Sequence, residues 1–155
     1  MEKGKTVLIS GAMGFIGSHC VYGLLKDTDW NIVIVDRLDI SGNPARLTET
    51  DIWDREKDRV KFVWWDFKAP LNDLVKQQIG KVDYIWHLGA SSHVDRSILD
   101  PMSFVMDNVV GTTNMLLYAK EVGVERFIYF STDEVFGPMI DKPFKEWDRY
   151  NSFIS

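Results

Sequence analysis

The chain has 155 residues, of which 45% are hydrophobic and 26% are charged, and its formal net charge is −5. This make-up predicts one globular domain, and the negative charge without a basic face argues against a nucleic-acid partner or an anionic membrane surface. The sequence has no apolar stretch long enough to span a membrane and no signal-peptide pattern, so we expect a cytoplasmic protein.

Five short runs rich in β-branched and aromatic residues predict strands that are buried on both faces. In chain order they cover residues 6–10, 31–36, 60–65, 82–88 and 126–131. Helical patterns alternate with them, and strand and helix in alternation with short links favour an α/β fold with a doubly wound parallel sheet.

Three helices are predicted from apolar residues that recur at three- and four-residue spacing. The first helix carries the only cysteine, Cys20, on its apolar side, which predicts a buried thiol. The second ends at Gly80, and the third covers residues 102–121. The positions expected to pack on the sheet are Ile16, Cys20, Val21, Leu24 and Leu25 in the first helix, Leu71, Leu74, Val75 and Ile79 in the second, and Val105, Val109, Thr112, Leu116 and Ala119 in the third.

Residues 37–59 show neither a helical spacing of apolar residues nor a strand-like apolar run. Their mixed charge run, TETDIWDREKDR, is typical of a solvated loop or a short helix rather than a binding site.

A glycine-rich motif follows the first strand, with Gly11, Gly14 and Gly17 in a G-x-x-G-x-x-G spacing. Because the motif lies between a strand and a helix, and the next strand ends in Asp36, it predicts a Rossmann-type dinucleotide site rather than a glycine-rich turn without a ligand. Asp36 should accept hydrogen bonds from the adenosine ribose, which favours NAD over NADP. The adjacent Arg37 argues in the opposite direction.

With these features the chain resembles the extended short-chain dehydrogenase/reductase family, and within it the nucleotide-sugar 4,6-dehydratases of the dTDP-glucose type. The segments that carry the resemblance are GAMGFIG, DRLDISGNPARL, WWDF, HLGASSHVDRS, NVVGTTNML and STDEVFG. The resemblance implies NAD as cofactor, a nucleotide-sugar substrate and a homodimer. It also implies a Rossmann-type sheet that is truncated after the fifth strand.

The resemblance further implies which residues contact NAD. Asp66 and Phe67 would lie against adenine, and Asn108 would lie on the cofactor side of the long helix. His87 and His93 fit packing and loop hydrogen bonds better than proton transfer. The full set of implied cofactor residues is Gly11, Gly14, Phe15, Ile16, Gly17, Asp36, Arg37, Asp66, Phe67, Leu88, Gly89, Ala90, Ser92 and Asn108.

The same resemblance assigns catalytic roles to the triplet Thr132, Asp133 and Glu134. Glu134 would be the base that removes the C5 proton of the sugar, Asp133 the acid that protonates the leaving C6 hydroxyl, and Thr132 a hydrogen-bond donor to the C4 oxygen. Phe136 stands where relatives usually have tyrosine. Without the surrounding motifs, two acidic residues after a strand would be a polar turn.

One family feature is missing downstream of this triplet, namely the Tyr-x-x-x-Lys pair that performs the hydride step. Tyr150 is followed four positions later by Ile154. We therefore expect residues 1–137 to form an NAD-binding domain, and residues 138–155 to begin the segment that leads to the tyrosine helix and the substrate subdomain. The chain would be an N-terminal fragment that is inactive alone.

Two alternatives stay open: a non-catalytic NAD-binding module, and an epimerase or decarboxylase of the same family. The sequence does not identify the nucleotide or the sugar.

Overall fold

A computed structural model of the protein describes residues 4–137 and 143–148. Its five strands form one parallel sheet in the order β3-β2-β1-β4-β5. The strands are β1 (Thr6–Ser10), β2 (Asn31–Asp36), β3 (Val60–Trp64), β4 (Tyr84–His87) and β5 (Arg126–Tyr129). The predicted α/β class and the five strands are confirmed, although β3, β4 and β5 are each shorter than expected.

Helices cover both faces of this sheet. The α-helices of the described residues are α1 (Phe15–Asp27), α2 (Ala45–Thr48), α3 (Trp53–Glu56), α4 (Asp73–Ile79), α5 (Val94–Leu99), α6 (Pro101–Val105) and α7 (Thr112–Val122). One core contains α4 and α7 with residues such as Leu8 and Ile85, and the other contains α1 with Ile9 and Ile34. Successive strand residues point to opposite faces, so each central strand supplies both cores.

The prediction that every strand is buried on both faces is wrong for the edges of the sheet. In β3, Phe62 and Trp64 are 42% and 59% exposed, and in β5 Ile128 and Tyr129 are 42% and 46% exposed. Among the described residues, each of these strands has a hydrogen-bonded neighbour on one side only, and the apolar runs that form them do not reveal this.

Helix α1 packs through Gly17, Ser18, Val21, Leu24 and Leu25. Ile16 is 62% exposed and Cys20 is half-buried, so the prediction of a buried thiol is wrong. The packed face of α1 follows Gly17, Val21 and Leu24, so Ile16 and Cys20, each one residue earlier in its turn, lie at the rim of that face. Partial burial still raises the pKa of the Cys20 thiol.

The second predicted helix begins later than its apolar pattern. Asn72 caps α4 by accepting a hydrogen bond from the Val75 N–H at 2.9 Å, and Gly80 ends it with φ +76°. Leu71, Val75 and Ile79 are buried, whereas Leu74 is 70% exposed.

The long predicted helix is α6 and α7 joined through a π-helical turn at Met106–Gly111. The buried residues of this segment are Asp107, Gly111, Asn114, Met115, Tyr118 and Ala119. Val105, Val109 and Leu116 were expected on the sheet, but they are 43%, 58% and 49% exposed. A π turn takes more residues than an α turn and so shifts the packed face along the sequence.

Residues 37–59 are more structured than their charge run suggests. Arg59 donates to the carbonyl oxygens of Leu25, Thr28 and Trp30 at 2.7–3.1 Å, and it pairs with Glu56 at 2.8 Å. The guanidinium therefore joins the end of α1 to the start of β3. Glu56 and Arg59 are therefore not simply solvated, although both belong to the charge run.

No helix in the described ranges combines the length and hydropathy that a bilayer span needs. Of the expected 138–155 segment, residues 138–142 and 149–155 lie outside the described residues, and so does Tyr150.

Candidate functional site

The candidate site lies at the carboxyl edge of the sheet, where β1, β2 and β4 end side by side. β2 and β4 flank β1, so the chain leaves in opposite directions from this point. In open α/β sheets, ligands bind in the crevice outside the strand ends at such a switch point. The loops that follow β1, β2 and β4 carry most of the predicted cofactor residues.

The glycine-rich loop needs two of its glycines for steric reasons. Gly11 has φ +66°, and a Cβ on it would lie 2.7 Å from Gly89 Cα. A Cβ on Gly17 would collide with the carbonyl oxygen of Gly11 and lie 2.7 Å from Ala12 Cα. Gly11 therefore lets the loops after β1 and β4 touch, and Gly17 lets α1 pack against the turn that precedes it.

The N-terminus of α1 is open for an anion. Gly14 is its N-cap, and no side chain caps the helix. Phe15 and Ile16 in the first turn are 70% and 62% exposed. Free N–H groups and the helix dipole at such an end attract phosphate groups.

Asp36 is buried and oriented by two backbone groups. Its Oδ2 accepts from the Met13 N–H at 2.9 Å, and its Oδ1 accepts from the Leu38 N–H at 2.8 Å. Because a carboxylate oxygen can accept more than one hydrogen bond, both oxygens keep capacity for hydroxyl donors. The bond to Met13 ties this acid directly to the glycine-rich loop.

Arg37 bonds to carboxylates other than Asp36. It forms a two-pronged ion pair with Asp107 of the π-helical turn at 2.6 and 2.7 Å, and it also pairs with Asp39. The hydrogen bonds that the guanidinium donates to Asp107 raise its pKa above the usual value.

Asp66 and Phe67 follow β3 at the same edge. Asp66 accepts from the Lys68 N–H at 3.0 Å and lies 3.6 Å from Arg37. Phe67 packs edge-on against His87, with the ring centroids 5.7 Å apart, and it lines the backbone at Gly89. The structure brings both residues to the predicted site, and their contact with adenine stays a prediction.

The loop after β4 is held by Ser10 and His87. Ser10 Oγ accepts from the N–H groups of Leu88 and Gly89 at 3.1 Å and lies 2.6 Å from His87 Nδ1. On the other side of its ring, His87 Nε2 lies 3.1 Å from Thr112 Oγ1. The packing and loop bonds expected of His87 are present, whereas His93 is exposed just before α5.

Farther along this loop, Ala90 and Ser92 are exposed, and Ser91 is anchored. Asn108 brackets the Ser91 backbone, accepting from its N–H at 2.8 Å and donating to its carbonyl oxygen at 2.9 Å. In this structure Asn108 positions the loop. Direct contact between Asn108 and a cofactor is untested.

Thr132, Asp133 and Glu134 follow β5 and are all exposed. Thr132 caps a 3₁₀ turn, Asp133–Phe136, by accepting from the Glu134 N–H at 3.2 Å. Its hydroxyl also lies 3.3 Å from Asp133 Oδ1. The three side chains therefore share one turn at the carboxyl edge of the sheet.

A Tyr-x-x-x-Lys spacing does occur upstream, at Tyr22 and Lys26 in α1. The Tyr22 hydroxyl donates to Asp51 at 3.2 Å, so this tyrosine is bonded to the 37–59 segment. It does not supply the pair missing downstream of Thr132.

Sequence reasoning missed three site residues: Ser10, Asp107 and Asn114. Asn114 is buried and donates to the Phe67 carbonyl oxygen at 2.7 Å. A polar residue at a core-facing helix position is the signal that could have identified Asp107 and Asn114. Within the described ranges, no group of three or more His, Cys, Asp or Glu side chains is arranged to hold a metal ion.

The residues present fit a dinucleotide. A turn that has room only for glycine, an uncapped helix end and an oriented, buried carboxylate occur together at one switch point. The turn allows the backbone to approach the dinucleotide closely, the helix end suits its phosphates, and the carboxylate suits a ribose.

Comparison with known proteins finds dehydratases that match most of this chain. The chain is 36% identical to mouse dTDP-D-glucose 4,6-dehydratase over 143 residues, covering 92% of the chain and 39% of the relative. It is 37% identical to dTDP-glucose 4,6-dehydratase of Escherichia coli, covering 86% of the chain and 38% of the relative. The chain thus spans about two-fifths of the length of the curated relatives it matches.

Solved structures of a dehydratase and an epimerase superpose on most of this chain. A dTDP-glucose 4,6-dehydratase from Streptomyces venezuelae, crystallised with NAD, superposes with a TM-score of 0.84 at 34% identity, over 95% of this chain and 45% of that one. A UDP-N-acetylglucosamine 4-epimerase from Methanobrevibacter ruminantium superposes with a TM-score of 0.82 at 26% identity, over 97% and 45%. A family model described as GDP-mannose 4,6 dehydratase matches residues 8–152, and the chain therefore belongs to that family.

Proposed function

We propose that this chain is the NAD-binding part of a nucleotide-sugar 4,6-dehydratase. The observation that carries the proposal is the junction at Gly11, where the glycine-rich loop touches Gly89 beneath the open end of α1 and beside Asp36. Family membership and the dehydratase relatives support the reaction class.

In this proposal the pyrophosphate of NAD lies at the N-terminus of α1, and Asp36 accepts hydrogen bonds from the adenosine ribose. Asp66 and Phe67 border adenine. Residues 88–92, held by Ser10 and Asn108, border the nicotinamide half. When bound, NAD would supply the hydride transfer, from C4 of the sugar and later back to C6.

Asp133 and Glu134 perform the elimination between those two events. Glu134, as a carboxylate, removes the C5 proton, while Asp133, as a neutral acid, gives its proton to the C6 hydroxyl as the carbon–oxygen bond breaks, so water leaves. The proton held by Glu134 returns to C5 when C6 receives the hydride. Thr132 donates a hydrogen bond to the C4 oxygen. The position of all three in one exposed turn beside the proposed cofactor site supports this division of roles.

We further propose a cytoplasmic homodimer for the whole protein. The support is a row of apolar side chains exposed along α6, the π turn and α7, where a second copy could pack. These are Met102, Val105, Val109 and Leu116, which are 64%, 43%, 58% and 49% exposed. Dimerisation through a helix pair would cover them.

A second candidate is epimerisation, which is favoured by the close superposition on the Methanobrevibacter ruminantium 4-epimerase. Asp133 argues for dehydration, because an epimerase has no leaving hydroxyl to protonate. The two reactions share the hydride step and differ in the need for this acid.

The reaction class can be tested with a chimera in which residues 1–137 are joined to the C-terminal part of the Escherichia coli relative. Purified chimera, shown to be folded by circular dichroism, is incubated with NAD and dTDP-glucose, UDP-glucose or GDP-mannose. We expect a 4-keto-6-deoxy sugar. Asp133→Asn and Glu134→Gln should each lower kcat by about 100-fold, as for loss of a general acid or base. A folded chimera that only epimerises its substrate would support the second candidate.

A further inference from the structure

Arg37 is the centre of a charge cluster beside the proposed ribose site. Its two terminal nitrogens donate to the two oxygens of Asp107 at 2.6 and 2.7 Å. Its Nε and one terminal nitrogen donate to Asp39 Oδ2 at 3.2 and 2.9 Å. Nearly every N–H of the guanidinium is therefore directed at a carboxylate.

The carboxylates of this cluster outnumber its cations. Asp39, Asp66 and Asp107 surround Arg37 and Lys68, and Lys68 lies 3.3 Å from Asp66 and 3.9 Å from Asp107. The cluster as a whole is thus negative, and it adjoins the carboxylate of Asp36.

Asp107 is the buried member, with 8% of its surface exposed. It also accepts a hydrogen bond from the Ser91 hydroxyl at 2.5 Å. Burial opposes its charged form, but the hydrogen bonds from Arg37 and Ser91 hold the pKa of the carboxyl below its usual value. A buried carboxylate that loses its cation is strongly destabilising, so Arg37 is bound firmly in this position.

An arginine next to the acid that ends β2 has a known physical use, because it can pair with the 2′-phosphate of NADP. In this chain the same guanidinium is already paired. We propose that Asp107, together with Asp39, makes the site selective for NAD by withholding Arg37 from a 2′-phosphate. This inference rests on the proposed function, because it assumes that Asp36 faces the adenosine ribose.

A 2′-phosphate meets two obstacles in this arrangement. Arg37 must leave Asp107, which then stays buried and charged without its strongest partner. The phosphate must also enter a cluster in which Asp36, Asp39 and Asp66 repel it. Neutralising Asp39 and Asp107 removes the first obstacle and weakens the second, while keeping the shapes of the side chains.

The test compares calorimetric titrations of the purified chain with NAD and with NADP. The variant is Asp39→Asn/Asp107→Asn. Its matched control is Asp54→Asn/Asp58→Asn, which removes the same charge from two exposed carboxylates of the 53–59 segment. A third variant adds Arg37→Gln to the first, and circular dichroism checks that each protein is folded.

We expect the ratio of the NADP and NAD dissociation constants to fall at least about tenfold in the cluster variant, the size of one or two charge-assisted hydrogen bonds regained. The control should keep the wild-type ratio, and adding Arg37→Gln should restore it. If the cluster variant does not fold, Asp39→Asn can be tested alone. It should lower the ratio by about threefold, because Arg37 then loses one of the two carboxylates to which it donates hydrogen bonds.

Three results would overturn the inference while leaving the proposed function intact. The first is that the cluster variant binds NAD but keeps the wild-type ratio of dissociation constants; if that variant does not fold, the same result in Asp39→Asn counts. The second is an equal fall of the ratio in the control, and the third is that adding Arg37→Gln does not restore the ratio. A folded wild-type chain that binds neither nucleotide would overturn the proposed function, and the inference with it.

Discussion

The Ser10 hydroxyl lies 2.6 Å from Nδ1 of His87 and also accepts the N–H groups of Leu88 and Gly89. Since both acceptor positions of this oxygen are used, its proton is donated to Nδ1. His87 is therefore the neutral tautomer with its proton on Nε2, which donates to Thr112. Adding a proton at Nδ1 would break the bond that organises the loop after β4.

This tautomer predicts a pH dependence of stability. Burial lowers the pKa of His87 from 6.5 to about 4. Between these values the unfolded chain binds a proton that the folded chain does not. Stability should therefore fall as the pH drops through this window, by about 3 kcal/mol in total.

The measurement is urea unfolding at pH values of about 7 and about 5 for the wild type and His87→Asn, whose amide oxygen can still accept from Ser10. The variant should lose less stability than the wild type between the two conditions. An equal loss in both proteins would show that His87 does not titrate in this way.

A second prediction concerns the packing of α1. Gly17→Ala should lower the free energy of unfolding by about 2 kcal/mol or more, because its Cβ meets backbone atoms of Gly11 and Ala12 that cannot move cheaply. Gly23→Ala in the same helix is the matched control, since a Cβ there meets nothing within 4 Å. The control should stabilise the protein by up to about 1 kcal/mol. Similar effects in both variants, measured by denaturant unfolding, would contradict the close contact at Gly17.

How far the sequence predicts this structure depends on the kind of signal. The strands, the glycine turn and Asp36 follow from local patterns, because a buried strand and a tight turn restrict residue types directly. The side of the long helix that packs on the sheet could not be predicted from local patterns, because the π turn at Met106–Gly111 shifts the packed side and leaves Val109 exposed.

Contacts between distant segments were also beyond sequence reasoning. Arg37 and Asp107 are 70 positions apart, and Ser10 and His87 are 77 apart. Residue type shows that such side chains need partners when buried, but only the folded topology brings the pairs together. The exposed faces of β3 and β5 depend in the same way on strand order, which an apolar run does not encode.

A third prediction follows from β5. Ile128 and Phe130, which are 42% and 39% exposed, stand at the edge of the sheet as the structure describes it. We expect the purified chain to self-associate as its concentration rises, because exposed apolar groups and unpaired strand edges favour contact between copies. Sedimentation velocity measures this. Ile128→Asp should weaken the association more than Leu74→Asp, although Leu74 in α4 is the more exposed of these two apolar side chains. A monodisperse monomer at all concentrations would contradict the expectation.

A fourth prediction concerns turnover by the purified 155-residue chain. It should produce no 4-keto-6-deoxy sugar from any nucleotide-hexose, because no tyrosine downstream of Thr132 is followed by lysine four positions later. Tyr22 and Lys26 do not substitute for that pair, since the Tyr22 hydroxyl is bonded to Asp51. Product analysis by mass spectrometry checks this, and sustained product formation would show that another group takes the C4 hydroxyl proton.

The central claim, that this chain binds NAD through the loop after β1 and Asp36, is tested most directly by calorimetric titration of the folded chain with NAD. Asp36→Ala should weaken binding about 10- to 100-fold, the equivalent of one to three hydrogen bonds to the ribose, while Asp54→Ala, at an exposed carboxylate of α3, should leave it unchanged. The predicted result is that the wild type and Asp54→Ala bind NAD with the same affinity and that Asp36→Ala binds it more weakly. A well-folded wild-type chain that releases no heat with NAD, or equal affinities in both variants, would contradict the account.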